Sequence, residues 1–146
     1  HTPSDNFVAH YLQALIDKNK PKKVSDILRS LYRIPEYKEA LMNKSGPKII
    51  LGKAENKPGK VFVDMTGGTE GPKELFGRLS QSGVGTIVCM HLSEEHFAKV
   101  KPEHINVVIA GHIASDNLGL NLLLDKIEAV EKLEILCCSG FKRIRR

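Results

Sequence analysis

The sequence predicts an α/β fold, a mixed and largely parallel sheet covered by helices. Three observations predict it. Apolar residues recur at helical spacing up to about residue 46, and from Lys48 the period shortens. After that point, short runs rich in β-branched residues alternate with amphipathic stretches, the order expected of strand–helix units. Two of those runs also end in a glycine turn that leads directly into a helix start.

Thr2-Pro3-Ser4-Asp5 opens the first helix, with Thr2 as N-cap, Pro3 in the first turn and Asp5 reaching back in a capping box. Val8, Leu12, Leu15 and Ile16 form its apolar stripe, and the lysine run around Pro21 ends it. Val24, Ile27, Leu28 and Leu31 mark a second helix, and Pro35 opens a short third that stops before Gly46-Pro47. Strands are expected at Lys48–Leu51, Val61–Asp64, Thr86–Met90, Ile105–Ile109 and Leu133–Cys137. Between them, Pro72 opens a helix capped by Gly83, Ser93 opens another, and the longest helix follows His112. Residues 1–146 read as one domain, a helical segment over 1–46 and strand–helix alternation over 47–146. The first residue already belongs to a motif, so the chain is expected to be a piece of a longer protein.

At 146 residues the chain is long enough to bury about two-thirds of its unfolded surface. It is 41% hydrophobic and 27% charged. No apolar run approaches the roughly 20 residues that span a bilayer, so membrane insertion is not expected. The three cysteines, two of them adjacent, make a poor disulfide framework and point to a reducing, cytoplasmic setting. The net charge of +5 is concentrated in residues 1–60. Few aromatics are interleaved there, so a solvated helical face is expected rather than a nucleic-acid surface.

Candidate chemistry centres on Gly111-His112-Ile113-Ala114-Ser115-Asp116, at the carboxyl end of a buried strand where ligands gather in open α/β sheets. His112 and Asp116 lie one helical turn apart and can face the same way. His1-Thr2-Pro3-Ser4-Asp5 repeats the His-x-x-x-Asp spacing. Two such pairs supply four nitrogen and oxygen ligands, suited to zinc, manganese, iron or another first-row ion. His91 follows the third strand at the same edge, and His96 lies on the next helix. Either is a candidate ligand, a partner of a ligand or a proton carrier, and both are the candidate catalytic groups. The turn holding Gly67, Gly68 and Thr69 has backbone N–H groups that can hold a phosphate, although it lacks the Walker and dinucleotide patterns. Cys137 and Cys138, adjacent on a strand, would face opposite ways.

Asp64-Met65-Thr66-Gly67-Gly68-Thr69-Glu70-Gly71, the Gly111–Asp116 turn and the opening His1–Asn6 together resemble the Ngg-one-interacting factor three family, whose members are often labelled GTP cyclohydrolase one type-two homologues. The likeness runs along nearly the whole chain and corresponds to the family's C-terminal half. It implies one lobe of a two-lobed fold with a dinuclear metal centre between the lobes. It also implies a toroidal homo-oligomer, a hexamer, with an activity that is unsettled across the family; the function expected here is a dinuclear-metal hydrolase acting on a phosphate-containing or nucleotide-like small molecule. Under the resemblance His112 and Asp116 match the late His-x-x-x-Glu/Asp ligands, and His1 and Asp5 match the middle pair. The family's adjacent histidine pair has no counterpart here, and His91 falls where many relatives have Gly-Glu. A non-enzymatic interaction protein with a structural metal is the alternative.

Overall fold

The computed structural model describes residues 2–67, 71–72 and 74–146. Helices α1 (Pro3–Asn19), α2 (Val24–Leu31) and α3 (Pro35–Met42) precede β1 (Lys48–Leu51) and β2 (Lys60–Asp64). Then come α4 (Leu75–Gln81), β3 (Val84–Cys89), α5 (Glu94–Val100), β4 (Asn106–Ile109) and α6 (His112–Glu128). The four strands pair in the order β1-β4-β3-β2. Strands β2, β3 and β4 run parallel, while β1 lies antiparallel to β4 at one edge. The expected mixed, largely parallel sheet is therefore present.

Alternation along the strands divides the core into two layers. Val63, Val88 and Val108 face α1, α2, α3 and α6, packing with Val8, Leu12, Ile27, Leu31, Tyr37 and Leu118. Ile87, Cys89 and Val107 face the other way, against Phe76 of α4 and Val100 of α5. Burying so many β-branched residues on both faces explains why β3 and β4 read as continuous apolar runs rather than alternating ones. At the β2 edge, Gln13 of α1 imitates a neighbouring strand. Its amide donates to the Val61 carbonyl at 3.2 Å, and its oxygen accepts from the Val63 N–H at 3.1 Å. Those edge groups are thereby closed to pairing with another chain.

Three expectations need correction. Leu133–Cys137 is not a strand. Residues 133–138 have no regular structure, Val130 and Leu136 are exposed, and Cys137 and Cys138 are both exposed rather than on opposite faces. The run has β-prone residues, but it leaves α6 on the helical layer and is followed by a tail tied to that layer. Asn121 accepts from the Ile144 N–H at 2.9 Å, and Arg143 bonds Asp125 and Glu128. Tertiary anchoring overrides strand propensity here. The helix expected from Pro72 begins only at Leu75, after a turn in which the Leu75 N–H donates to the Pro72 carbonyl at 3.0 Å. Finally, α6 is not the longest helix, since α1 matches its 17 residues.

Candidate functional site

The carboxyl ends of β2, β3 and β4 lead to Gly67, His91 and His112, and the amino end of α1 brings Asp5 to the same edge. Two devices set Asp5. Thr2 caps α1, accepting from the Asp5 N–H at 3.2 Å, while the Asp5 Oδ2 accepts from the Thr2 N–H at 2.8 Å. This capping box fixes the carboxylate, whose Oδ1 faces Gly67.

Backbone bonds beyond the strand ends hold the late turn. Ala110 N–H donates to the Cys89 carbonyl at 2.7 Å and Gly111 N–H to that of Met90 at 3.2 Å. Gly111 has φ 102°, a left-handed conformation that favours glycine, and a Cβ there would stand 3.1 Å from the Ser45 carbonyl. Ser115 ties back to the Gly111 carbonyl at 2.6 Å, and the buried Tyr37 hydroxyl meets Ser115 Oγ at 2.9 Å. Burial pushes the Tyr37 hydroxyl well above its usual pKa, so it stays a neutral hydrogen-bonding group. The chain α3–Tyr37–Ser115–Gly111 thus positions the first turn of α6.

On that turn His112 Nε2 stands 3.5 Å from Asp116 Oδ2, with both side chains about half exposed. His91 stacks on His112, centroids 5.0 Å apart and planes within 10°. Its Nδ1 is sealed from solvent and has no hydrogen-bond partner among the described residues. A Cβ on Gly67 would stand 3.5 Å from each of Asp5 Oδ1, His112 Nε2 and Met90 Sδ. Asp5 and His112 therefore face one small space roofed by glycine. Desolvation raises the Asp116 carboxyl above its ordinary pKa; His112 opposes this, Asp5 adds to it, and His91 opposes it. Asp116 thus lies within electrostatic reach of the other three groups.

The structure brings Asp5, Gly67, His91, His112 and Asp116 together. His1, Gly68 and Thr69 lie outside the described residues. His96 plays a different part. It is buried at the first turn of α5, its Nε2 2.8 Å from the Gly71 carbonyl and its Nδ1 2.9 Å from Ser93 Oγ. A carbonyl only accepts, so Nε2 carries a proton, and Nδ1 shares a hydrogen bond with the serine hydroxyl. That imidazole anchors the turn at Gly71. Sequence reasoning missed Met90 and the Tyr37–Ser115 support. Met90 was legible only as a strand end, and nothing in the spacing links residue 37 to residue 115.

As a metal site the donor chemistry fits in part. Imidazole and carboxylate oxygen suit a first-row divalent ion, His91 has an orphaned buried nitrogen, and Gly67 leaves room over the donors. Among the described residues, no three His, Cys, Asp or Glu side chains form a group already drawn in tightly enough to hold an ion. The donors present make a partial set, one imidazole–carboxylate pair with two further groups facing it.

No family profile matches the chain, and no curated protein sequence does. Among solved structures, it is similar to a NIF3 superfamily protein from Sphaerobacter thermophilus, with TM-score 0.65 and 22% identity over 86% of this chain and 46% of that one. A Bacillus cereus protein related to NIF3 aligns with TM-score 0.48 and 17% identity, over 76% of this chain and 28% of that one. The first likeness establishes a NIF3-like fold, and the chain spans about half the length of that structure. Among the described residues, no helix is long and apolar enough to cross a membrane.

Proposed function

We propose that this chain is a divalent-cation protein, half of a dinuclear hydrolase-like centre acting on a phosphate-containing or nucleotide-like small molecule. The observation that carries the reading is the shared space beneath Gly67. There the α1 capping carboxylate and the α6 imidazole, 107 residues apart in sequence, face the same point. Helix capping alone accounts for Asp5 Oδ2, but not for Oδ1 facing a histidine from the other end of the chain. Asp5, His112 and Asp116 would hold the ion, with His1 a fourth donor by spacing. When bound, such an ion polarises a substrate oxygen and lowers the pKa of a water. The bare Cα of Gly67 lets a substrate group approach the donors. The N–H groups of the same turn, Gly68 and Thr69 included, would receive its phosphate.

The test is metal content and turnover. The purified chain should take up zinc, manganese or iron, and His112→Ala should lower affinity at least 100-fold while leaving the far-UV spectrum unchanged. Equal stoichiometry in the variant removes the reading. Metal-dependent hydrolysis of phosphate esters or cyclic nucleotides that vanishes with Asp116→Ala supports the enzyme.

A second reading, an interaction protein with a structural metal, draws on one feature. Ile113, adjacent to His112, is 78% exposed, and Met42 at the end of α3 is 72% exposed. These exposed apolar side chains, one of them next to the site, would suit assembly into a ring such as the hexamer. Metal without turnover, together with a sedimentation mass that is a multiple of the chain, favours that reading.

A further inference from the structure

The two edges of the sheet are finished differently. Along β2, Gln13 occupies the Val61 carbonyl and the Val63 N–H. Strand β1 forms the other edge and pairs with β4 alone. Among the described residues, no further backbone bond reaches Lys48–Leu51 on its outer side. An edge of this kind is a template for one more strand. Its apolar side chains are half covered, Ile49 on the helical face and Ile50 and Leu51 on the face of α4 and α5.

Residues 133–137 are strand-prone but lack a sheet. Among the described residues, no backbone N–H from Lys132 to Gly140 donates to a carbonyl. Leu136 is 84% exposed. Extended, the run places Leu133, Ile135 and Cys137 on one face and Glu134 and Leu136 on the other. Laid along β1, it would carry both apolar faces one strand further and cover Ile49, Ile50 and Leu51. Within one subunit the two segments do not pair, so a pairing between them joins separate molecules.

Charge points to a second copy of this chain as the partner. Exposed Lys44, Lys48 and Lys53 lie in and beside β1, while exposed Glu131 and Glu134 outweigh Lys132 in and beside the run. Neither those three lysines nor those two glutamates form an ion pair among the described residues. Two β1 edges meeting each other would instead crowd lysine against lysine, and like charges across strands are destabilising.

We propose that residues 133–137 of one copy add as a fifth strand to the β1 edge of a second copy, each giving one strand and receiving one. Such a reciprocal exchange closes as a two-fold dimer, with main-chain bonds supplying affinity and the Lys–Glu contacts register. It uses neither the histidines nor an ion, so it stands apart from the metal reading.

The test is sedimentation equilibrium with amide hydrogen exchange on the metal-free chain. Wild type should dimerise, and the amides of residues 133–137 should exchange slowly in concentrated samples and fast in dilute ones. The distinguishing variant combines Glu134→Pro with Ile135→Pro. N–H groups alternate sides along a strand, so one of two adjacent prolines removes a donor toward the partner in any register. Dimer affinity should fall at least tenfold, with the Tm of dilute protein unchanged. A monomer at every concentration overturns the proposal. So does an oligomer in which residues 133–137 exchange freely, or one that the prolines leave intact. Should the proline variant fail to fold, charge reversal decides. Lys48→Glu with Lys53→Glu, and separately Glu131→Lys with Glu134→Lys, should each dimerise about fivefold more weakly than wild type. An equimolar mixture of the two should recover wild-type affinity, because each acidic edge then meets a basic strand. A mixture no tighter than its components overturns the proposal.

Discussion

Helix α6 carries a cluster of charge near each end, and the two are built on opposite principles. Toward its carboxyl end, Asn121, Asp125 and Glu128 receive the tail. Arg143, whose side chain is only 6% exposed, bonds Asp125 at 2.5 Å and Glu128 at 2.6 Å, and Arg145 adds a second partner to Glu128 at 2.9 Å. Arg145 and then Arg143 hold the Glu128 carboxyl at about 2. Cations at this end also complement the helix dipole. At the amino end, by contrast, Asp116 and Asp5 share space with two histidines, and desolvation raises the Asp116 carboxyl. One cluster carries its own counter-charges and acts as structure. At the other, the described groups acting on Asp116 are two histidines and a carboxylate, with neither arginine nor lysine among them, an arrangement that a bound cation would balance.

The largest expected effect tests the balanced end. Asn121 is fully buried; its amide donates to Glu36 at 2.9 Å and to the Lys142 carbonyl at 3.0 Å. Its oxygen accepts from Arg143 at 3.2 Å and Ile144 N–H at 2.9 Å. Asn121→Ala removes all four bonds at once, one of them to the buried Glu36, which should cost about 3 kcal/mol and lower Tm by roughly 10 °C. Metal affinity at the other end should stay within twofold. A variant that loses affinity in proportion to stability would mean that the two ends of α6 are not independent.

A smaller effect should reach the site from a residue that never touches it. At Gly119, α6 crosses α1 so closely that a Cβ would stand 3.0 Å from the Ser4 carbonyl, Ser4 Cβ and Val8 Cγ2. Ser4 precedes Asp5, so this crossing sets the distance between the α1 carboxylate and the α6 pair. Gly119→Val should cost about 1–3 kcal/mol through overpacking. By parting the helices it should also weaken divalent-ion binding by about tenfold in calorimetric titration. Unchanged affinity would show that Asp5 does not share an ion with His112.

The contrast between the two ends explains what was legible in the sequence. The capping box at Thr2 and Asp5, the stripes of α1 and α2, the strand cores and the His112 turn are local, each set by residues within a few positions of one another. The convergence of Asp5 with His112 was suggested only by a repeated spacing, because it depends on α1 lying along α6. The tail was not legible. Leu133–Cys137 has strand-like residues, and nothing in the spacing of the arginines after it names their partners. What they do depends on acidic groups as distant as Glu36, reached by Arg146. His96 shows the same limit in reverse: its place on α5 was legible, but the Gly71 carbonyl that occupies its Nε2 lies 25 residues back.

The smallest effect is one of pH, and its sign differs between the two ends. Glu128 titrates at about 2 in the folded protein against an ordinary 4.5. Its contribution is therefore complete above about pH 4.5 and lost as pH falls toward 2. Asp116 is raised above its ordinary 3.8, so its contribution runs the other way, present at low pH and lost as pH rises through the folded value. In metal-free protein at low ionic strength, Glu128→Gln should melt a few degrees below wild type at pH 7. The two melting curves should converge between pH 4.5 and pH 2, because the neutral amide has nothing left to lose. Adding 1 M salt should shrink the gap at pH 7, since Arg145 is an exposed partner. If the curves stay parallel down to pH 2, the tail is held by its neutral hydrogen bonds through Asn121. The charge pairs at that end of α6 would then be as dispensable as those of an ordinary surface.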